Sequence, residues 1–324
     1  RSSDLLSRGD IVLEEYALDK ARVILFNPMQ QMRATLREAL HNIGFRRIAE
    51  CGNIEQTQDE LLIESPELLI LDLDRNKDDV CNLVRDVRNG NYAKDPFIVI
   101  MALTWKPHLQ KVNTTMDAGI DDIVLLPLSI GTLRSRVNMM IQKRKGFVVT
   151  GEYIGPNRRI DDRIDDELGT ITVPNRLRFK ATGDVAAMAS PEAVDEARVL
   201  VDNHRLNRFA QRLHALLDIL TNEEESTNDD AVEVDMCLDE MGDVIRDLHN
   251  RVEDNDSFNE LTNICQSMED LLTLLHQSTT TRLFDLMRVH AHAVTATLMN
   301  QDGAAELIAR ALGQATTQIA AKSA

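Results

Sequence analysis

Two carboxylates close an apolar run in Leu68-Leu-Ile-Leu-Asp-Leu-Asp74. If the strand continues, Asp72 and Asp74 project to one side of it, as residues two apart do, and the pair is a candidate weak cation site. A hard ion such as Mg²⁺ asks for more oxygen ligands than two carboxylates supply. The expectation is therefore an Asp72 that pairs with a nearby backbone amide. Six histidines fall in the second half: His204, His214, His249, His276, His290 and His292. His290 and His292 stand at i, i+2, which puts them on different faces of a helix, where metal binding would want i, i+4. Glu260-Leu-Thr-Asn263 sets an acid and an amide one turn apart, but Glu260 also completes a capping box with Ser257. The cysteines Cys51, Cys81, Cys237 and Cys265 form no Cys-x-x-Cys pair, which excludes a cysteine zinc site and a disulfide framework and predicts reduced thiols in a cytoplasm. Neither Gly-x-x-x-x-Gly-Lys-Ser/Thr nor Gly-x-Ser-x-Gly occurs, so phosphate-loop and serine-hydrolase chemistry drop out.

The elements that must carry these residues differ along the chain. Short apolar runs at Arg22–Phe26, Leu68–Leu71, Phe97–Met101 and Asp122–Leu126 alternate with helical spacing such as Met32, Leu36, Ala39, Leu40, Ile43. A weaker run at Arg46–Ala49 makes five βα repeats. Continuous apolar strands between amphipathic helices predict a parallel sheet covered on both faces, a flavodoxin-like, doubly wound (βα)5 domain over residues 21–146. Residues 1–20 form an N-terminal segment without the apolar core of a secretion signal.

From Ser190 onward the pattern is helical, and Ser190-Pro191-Glu192 is a start signal. One stripe runs Leu206, Phe209, Leu213, Leu216, Leu217, Leu220. The next runs Val234, Leu238, Met241, Ile245, Leu248, Val252. A third runs Leu261, Cys265, Met268, Leu272, Leu275 and resumes at Leu283, Leu286, His290, Val294. A last alanine-rich helix is predicted over about 304–321. Such seams predict an all-α bundle over residues 190–324, and their strictness makes a homodimer the leading oligomer expectation.

Charge follows the same division. Residues 20–146 carry 18 Lys/Arg against 16 Asp/Glu, whereas residues 181–324 carry 10 against 26. The chain's net charge of −17 argues against nucleic acid and anionic membrane as partners. Nor does any apolar run approach the ~18 residues of a membrane span. Between the halves, residues 147–189 are a connector, with a short strand at Thr170–Val173. Its Arg158, Arg159, Arg163, Arg176 and Arg178 are expected to pair with the acidic half, since Asp161, Asp162, Asp165 and Asp166 interleave with them.

In Arg22-Val-Ile-Leu-Phe26, Pro66-Glu-Leu-Leu-Ile-Leu-Asp72, Pro96-Phe-Ile-Val-Ile-Met101, Ala118-Gly-Ile-Asp-Asp122 and Leu126-Pro127, the chain resembles the receiver domain of bacterial response regulators. A working receiver phosphorylates one aspartate, using Mg²⁺ held by acids, a lysine and a hydroxyl. The resemblance places Asp72 at the acceptor position. It places Asn27-Pro28 at the acid pair, Met101 at the hydroxyl, Leu126 at the lysine and Ile123 at an aromatic position linked to switching. It therefore implies a degenerate pocket, a pseudo-receiver that binds no Mg²⁺. Met101 and Leu126 are expected to fill that pocket and hold the domain in one state.

The resulting expectation is a non-catalytic, cytoplasmic adaptor of two-component signalling, with a histidine kinase or another response regulator as partner. Two alternatives stand beside it: a phosphorelay protein using Asp72 or a bundle histidine, and a phosphatase of another receiver through Glu260 and Asn263.

Overall fold

The computed structural model describes residues 16–105, 116–150, 153–158, 169–221, 230–253, 259–278 and 280–298. Five parallel strands form one sheet: β1 (Arg22–Phe26), β2 (Arg47–Cys51), β3 (Leu68–Asp72), β4 (Val99–Thr104) and β5 (Asp122–Leu125), in the order β2-β1-β3-β4-β5. Every residue of β1, β3 and β4 is buried, which is why these strands read as unbroken apolar runs. Helices α1 (Gln30–Ile43), α2 (Ile54–Ile63) and α3 (Lys77–Arg88) supply the crossovers from β1 to β2, β2 to β3 and β3 to β4, and α4 (Ile130–Gln142) follows β5. One core packs Leu36 and Leu40 of α1 and Leu133 and Val137 of α4 on the sheet. A second, on the other face, takes Leu61 of α2 and Val80, Leu83, Val84 and Val87 of α3.

The boundaries differ from the sequence reading where side chains take over backbone bonds. β4 begins two residues after the apolar run does, because the Phe97 and Ile98 carbonyls accept guanidinium hydrogen bonds from Arg144 and Arg88. The connector contributes β6 (Phe147–Val149), paired with β7 (Ile154–Pro156), and α5 (Arg176–Thr182). The strand expected at Thr170–Val173 reduces to a single antiparallel bridge, Phe147 to Ile171. The connector arginines are corrected as well. Arg158 pairs with Asp117, Arg176 with the buried Glu67 (2.5 Å) and Arg178 with Asp184 (2.8 Å). Two of the three therefore bind back onto the sheet domain. Arg159, Arg163 and residues 161–168 lie outside the described residues.

Compactness divides the chain into a first unit, residues 1–148 with 153–199, and a second, residues 149–152 with 200–324. The connector thus belongs with the sheet domain. The division falls inside a 31-residue helix, α6 (Pro191–Thr221), and not at Ser190, although Ser190 caps that helix by accepting the Ala193 amide at 3.2 Å.

In the second unit α6 is followed by α7 (Asp230–Val252), α8 (Asn259–Gln277) and α9 (Thr281–Leu298). Cross-helix bonds give an up-down-up-down order: Arg212 to Glu240, His249 to Glu269, Ser267 to His290 and His214 to Thr295. The third predicted stripe is two helices, α8 and α9. Leu238, Met241, Ile245, Leu248 and Val252 of α7 and Leu261, Cys265, Met268, Leu272 and Leu275 of α8 are all buried in the core of one chain. The seams on which a homodimer was expected are therefore filled within a single chain. The helix expected at 304–321 and the Ser257 capping box lie outside the described residues.

Burial holds the side chains of His204, His214 and His290 below the usual imidazole range, with the neighbouring His292 adding to the effect at His214. A folded-state pKa below the unfolded ~6.5 means that the unfolded chain binds more protons in that window, so stability rises with pH there. The helical unit is expected to hold its full stability above about pH 6.5 and to lose it progressively as pH falls through the folded values. Denaturation midpoints followed by helical circular dichroism from pH 7.5 to 5 measure this; a midpoint that is flat or rises on acidification contradicts it.

Candidate functional site

In an open parallel sheet, ligand sites lie beyond the carboxyl ends of the strands where the strand order reverses. Here that point lies between β1 and β3, and the residues that emerge there are Asn27 and Asp72. Both are buried, at 1% and 6% exposure. Asn27 is fixed at every polar group: its backbone amide donates to the Cys51 carbonyl (3.2 Å), its Oδ1 accepts the Met29 amide (2.8 Å) and its carbonyl accepts Arg33 Nη1 (2.6 Å). Its Nδ2 donates to Asp72 Oδ2. The other oxygen of Asp72, Oδ1, accepts the Asp74 amide at 2.8 Å in an Asx turn. Burial pushes the Asp72 carboxyl up from its usual range; the Asp74 charge pushes the same way, while the Asp74 amide, Arg75 and Asn27 oppose it.

The Asp74 carboxylate does not turn toward Asp72 as a second ligand. Its Oδ1 accepts the Thr104 hydroxyl and its Oδ2 the Trp105 amide, each at 2.8 Å, closing the end of β4. The register sets Leu103 opposite Asp72 and Met101 opposite Ile70, so the hydroxyl residue at this end of β4 is Thr104, and Met101, expected at the hydroxyl position, lies inside the sheet. The available signal was a hydroxyl residue ending an apolar run opposite an acid. Among the described residues no three His, Cys, Asp or Glu side chains come together as a metal-ligand group.

Met101 is fully buried and Leu126 8% exposed, and both belong to the core on the α1–α4 face, with Leu103 and Val124. Pro28 is half-buried at the rim. Ile123 packs against the opposite core. The Leu126–Pro127 peptide is cis.

The bundle's candidates do not converge. His290 is fully buried, its Nδ1 donating to the Leu286 carbonyl and its Nε2 facing the Ser267 hydroxyl, both at 2.8 Å. His214 lies against His292, ring centroids 4.6 Å apart, and meets Thr295. His249 Nδ1 pairs with Glu269 (2.8 Å), and His276 stands 3.9 Å from Asp239. His204 is half-buried. Glu260 is half-buried and Asn263 exposed in the first turns of α8.

No family model matches the chain. The chain is 30% identical over 121 residues to the KDP operon transcriptional regulatory protein KdpE of Escherichia coli (strain K12), a match covering 37% of this chain and 51% of that protein. It thus spans about half the length of this curated relative. Among solved structures it is similar to the Vibrio cholerae chemotaxis protein CheY4, at 17% identity over 36% of this chain and 96% of that one, with a TM-score of 0.33. A response regulator from Desulfuromonas acetoxidans shows 22% identity over 38% and 97%, also with a TM-score of 0.33. No described helix is long and apolar enough to cross a membrane. With the β2-β1-β3-β4-β5 sheet, the acid at the end of its third strand and the match to KdpE, the sheet domain of residues 21–146 is a response-regulator receiver domain.

Proposed function

We propose that this receiver domain is a pseudo-receiver that takes no phosphoryl group, and that the protein is a non-catalytic adaptor in two-component signalling. The observation that carries the reading is the state of Asp72: one carboxylate oxygen is engaged by the Asn27 amide and the other by the Asp74 amide. An acceptor aspartate needs a free oxygen for attack and a cation to neutralise the phosphoryl charge that builds up. Neither requirement fits these residues. Asn27-Pro28 brings no negative ligand, and the amide oxygen of Asn27 is already taken by the Met29 N–H, so the donor set does not suit Mg²⁺. Leu126 brings hydrocarbon where an ammonium would act, and the Thr104 hydroxyl at the end of β4 is spent on Asp74 Oδ1.

On this reading the receiver surface and the bundle each meet a signalling protein, such as a histidine kinase or another response regulator. The apolar seams of the bundle are filled within one chain, so its acidic outer faces are the contact surface, suited to a basic partner.

Acetyl phosphate or beryllofluoride added with Mg²⁺ to the full chain is expected to leave the amide spectrum of the sheet domain unchanged. Radiolabel on Asp72 or on His249 would replace this reading with a phosphorelay. Faster loss of acyl phosphate from another receiver, abolished by Asn263→Ala, would replace it with a phosphatase.

A further inference from the structure

Residues 144–150 and 153–158 touch the amino-terminal edge of the receiver sheet in two places of different character. The first is a buried knot. Arg144 and Arg88 both bind Asp121, and their guanidinium carbons lie 5.0 and 5.1 Å from the centroid of the fully buried Phe147 ring. The second is a crossing of two backbones. Gly119 has φ +102°, and a Cβ built on it would come 2.4 Å from the Ile154 carbonyl oxygen; a Cβ on Gly155 would come 2.7 Å from the Gly119 Cα. Two positions without side chains, 36 residues apart in sequence, let β7 lie directly on the turn that leads into β5. Arg158 closes the crossing. Its guanidinium stacks on the Tyr153 ring at 4.0 Å, and it binds the Asp117 carboxylate and the Met116 carbonyl, the same carbonyl that accepts the Gly119 amide at 3.0 Å.

We propose that Tyr153–Arg158 is a releasable strap on the receiver domain, which holds the 116–121 turn in place while docked and frees it when Arg158 lets go. The contrast in burial sets which contact yields. The knot side chains are 2–6% exposed, whereas Arg158 is 25% and Asp117 58% exposed. Ion pairs at the surface are screened by salt and open to competition from a partner, while a buried, fully bonded cluster is neither. Residues 144–149 therefore anchor the connector; within Tyr153–Arg158, where Ile154–Pro156 are themselves buried, the Arg158 ion pair is the contact that yields first. The device depends only on this edge of the sheet and holds whether or not Asp72 is ever phosphorylated.

Hydrogen exchange on the full chain tests it, read at three amides: Gly119, bonded to Met116; Asp121, bonded to Ile100 at 2.9 Å; and Phe147, bonded to Ile171 at 2.8 Å. In Arg158→Ala and in Asp117→Ala, exchange at Gly119 and Asp121 is expected to rise by about tenfold or more, with Phe147 and the β1–β3 amides unchanged. Raised salt is expected to reproduce the rise in the parent protein and to add little in the variants. Unaltered exchange at Gly119 and Asp121 would overturn the strap, and so would a uniform rise across the whole sheet, which would mean that the segment is inseparable from the fold.

Discussion

Replacing Asp121 by alanine is expected to remove about 3–5 kcal/mol of stability from the receiver domain, the range seen when one partner of a buried charge cluster is deleted. Asp121 accepts the Ile100 amide (2.8 Å), Arg88 Nη2 (2.9 Å) and Arg144 Nε (2.8 Å), and its side chain is 3% exposed. Burial already draws Arg88 down to about 10, with Asp121 opposing the shift and Arg144 adding to it. Without the carboxylate, two buried guanidinium groups packed against Phe147 lose the acid that bridges them. Asp121→Asn keeps an oxygen for the Ile100 amide and should recover part of the loss. Urea midpoints at unchanged m-value measure both. A loss below about 1 kcal/mol would mean that the cluster behaves like a surface pair.

The second large effect concerns Met101, in the sheet core two residues inside from the Asp72 register. Met101→Thr, which puts a hydroxyl among the side chains there, is expected to cost about 2–4 kcal/mol, because it removes buried methylenes and leaves a polar atom in a hydrocarbon core. Met101 has no exposed surface and packs with Leu103, Val124 and Leu126. Thermal or chemical unfolding of the variant reads the cost. A change within about 0.5 kcal/mol of the parent would show that the site has room to adapt.

The sheet was legible in the sequence because strands buried on both faces have no polar alternation to confuse with a helix. The Arg22–Phe26 and Leu68–Leu71 runs come within a residue of β1 and β3. The start of β4 was not legible: whether the Phe97 and Ile98 carbonyls bond a neighbouring strand or a guanidinium depends on Arg88 and Arg144, 9 and 47 residues away from Phe97 along the chain. The connector was opaque for the same reason. Its glycines and arginines carry no period, and their partners, Asp117 and Glu67, lie in the receiver domain. In the bundle, four-three spacing marked the buried faces correctly, but spacing alone does not say whether a seam is filled by another helix of the same chain or by a second copy. At the pocket the residue types were readable at once. What they do there was not, because the Asn27–Asp72 bond joins positions 45 residues apart.

The hydroxyl and imidazole of Ser267 and His290, meeting at 2.8 Å among the buried apolar side chains of the bundle, act as a tooth and notch between α8 and α9. Sliding one helix past the other by a turn would keep leucine against leucine, but it would strand both polar groups in oil. The alignment of the two helices is thereby specified by a pair of atoms, and the two positions can change over evolutionary time only in concert.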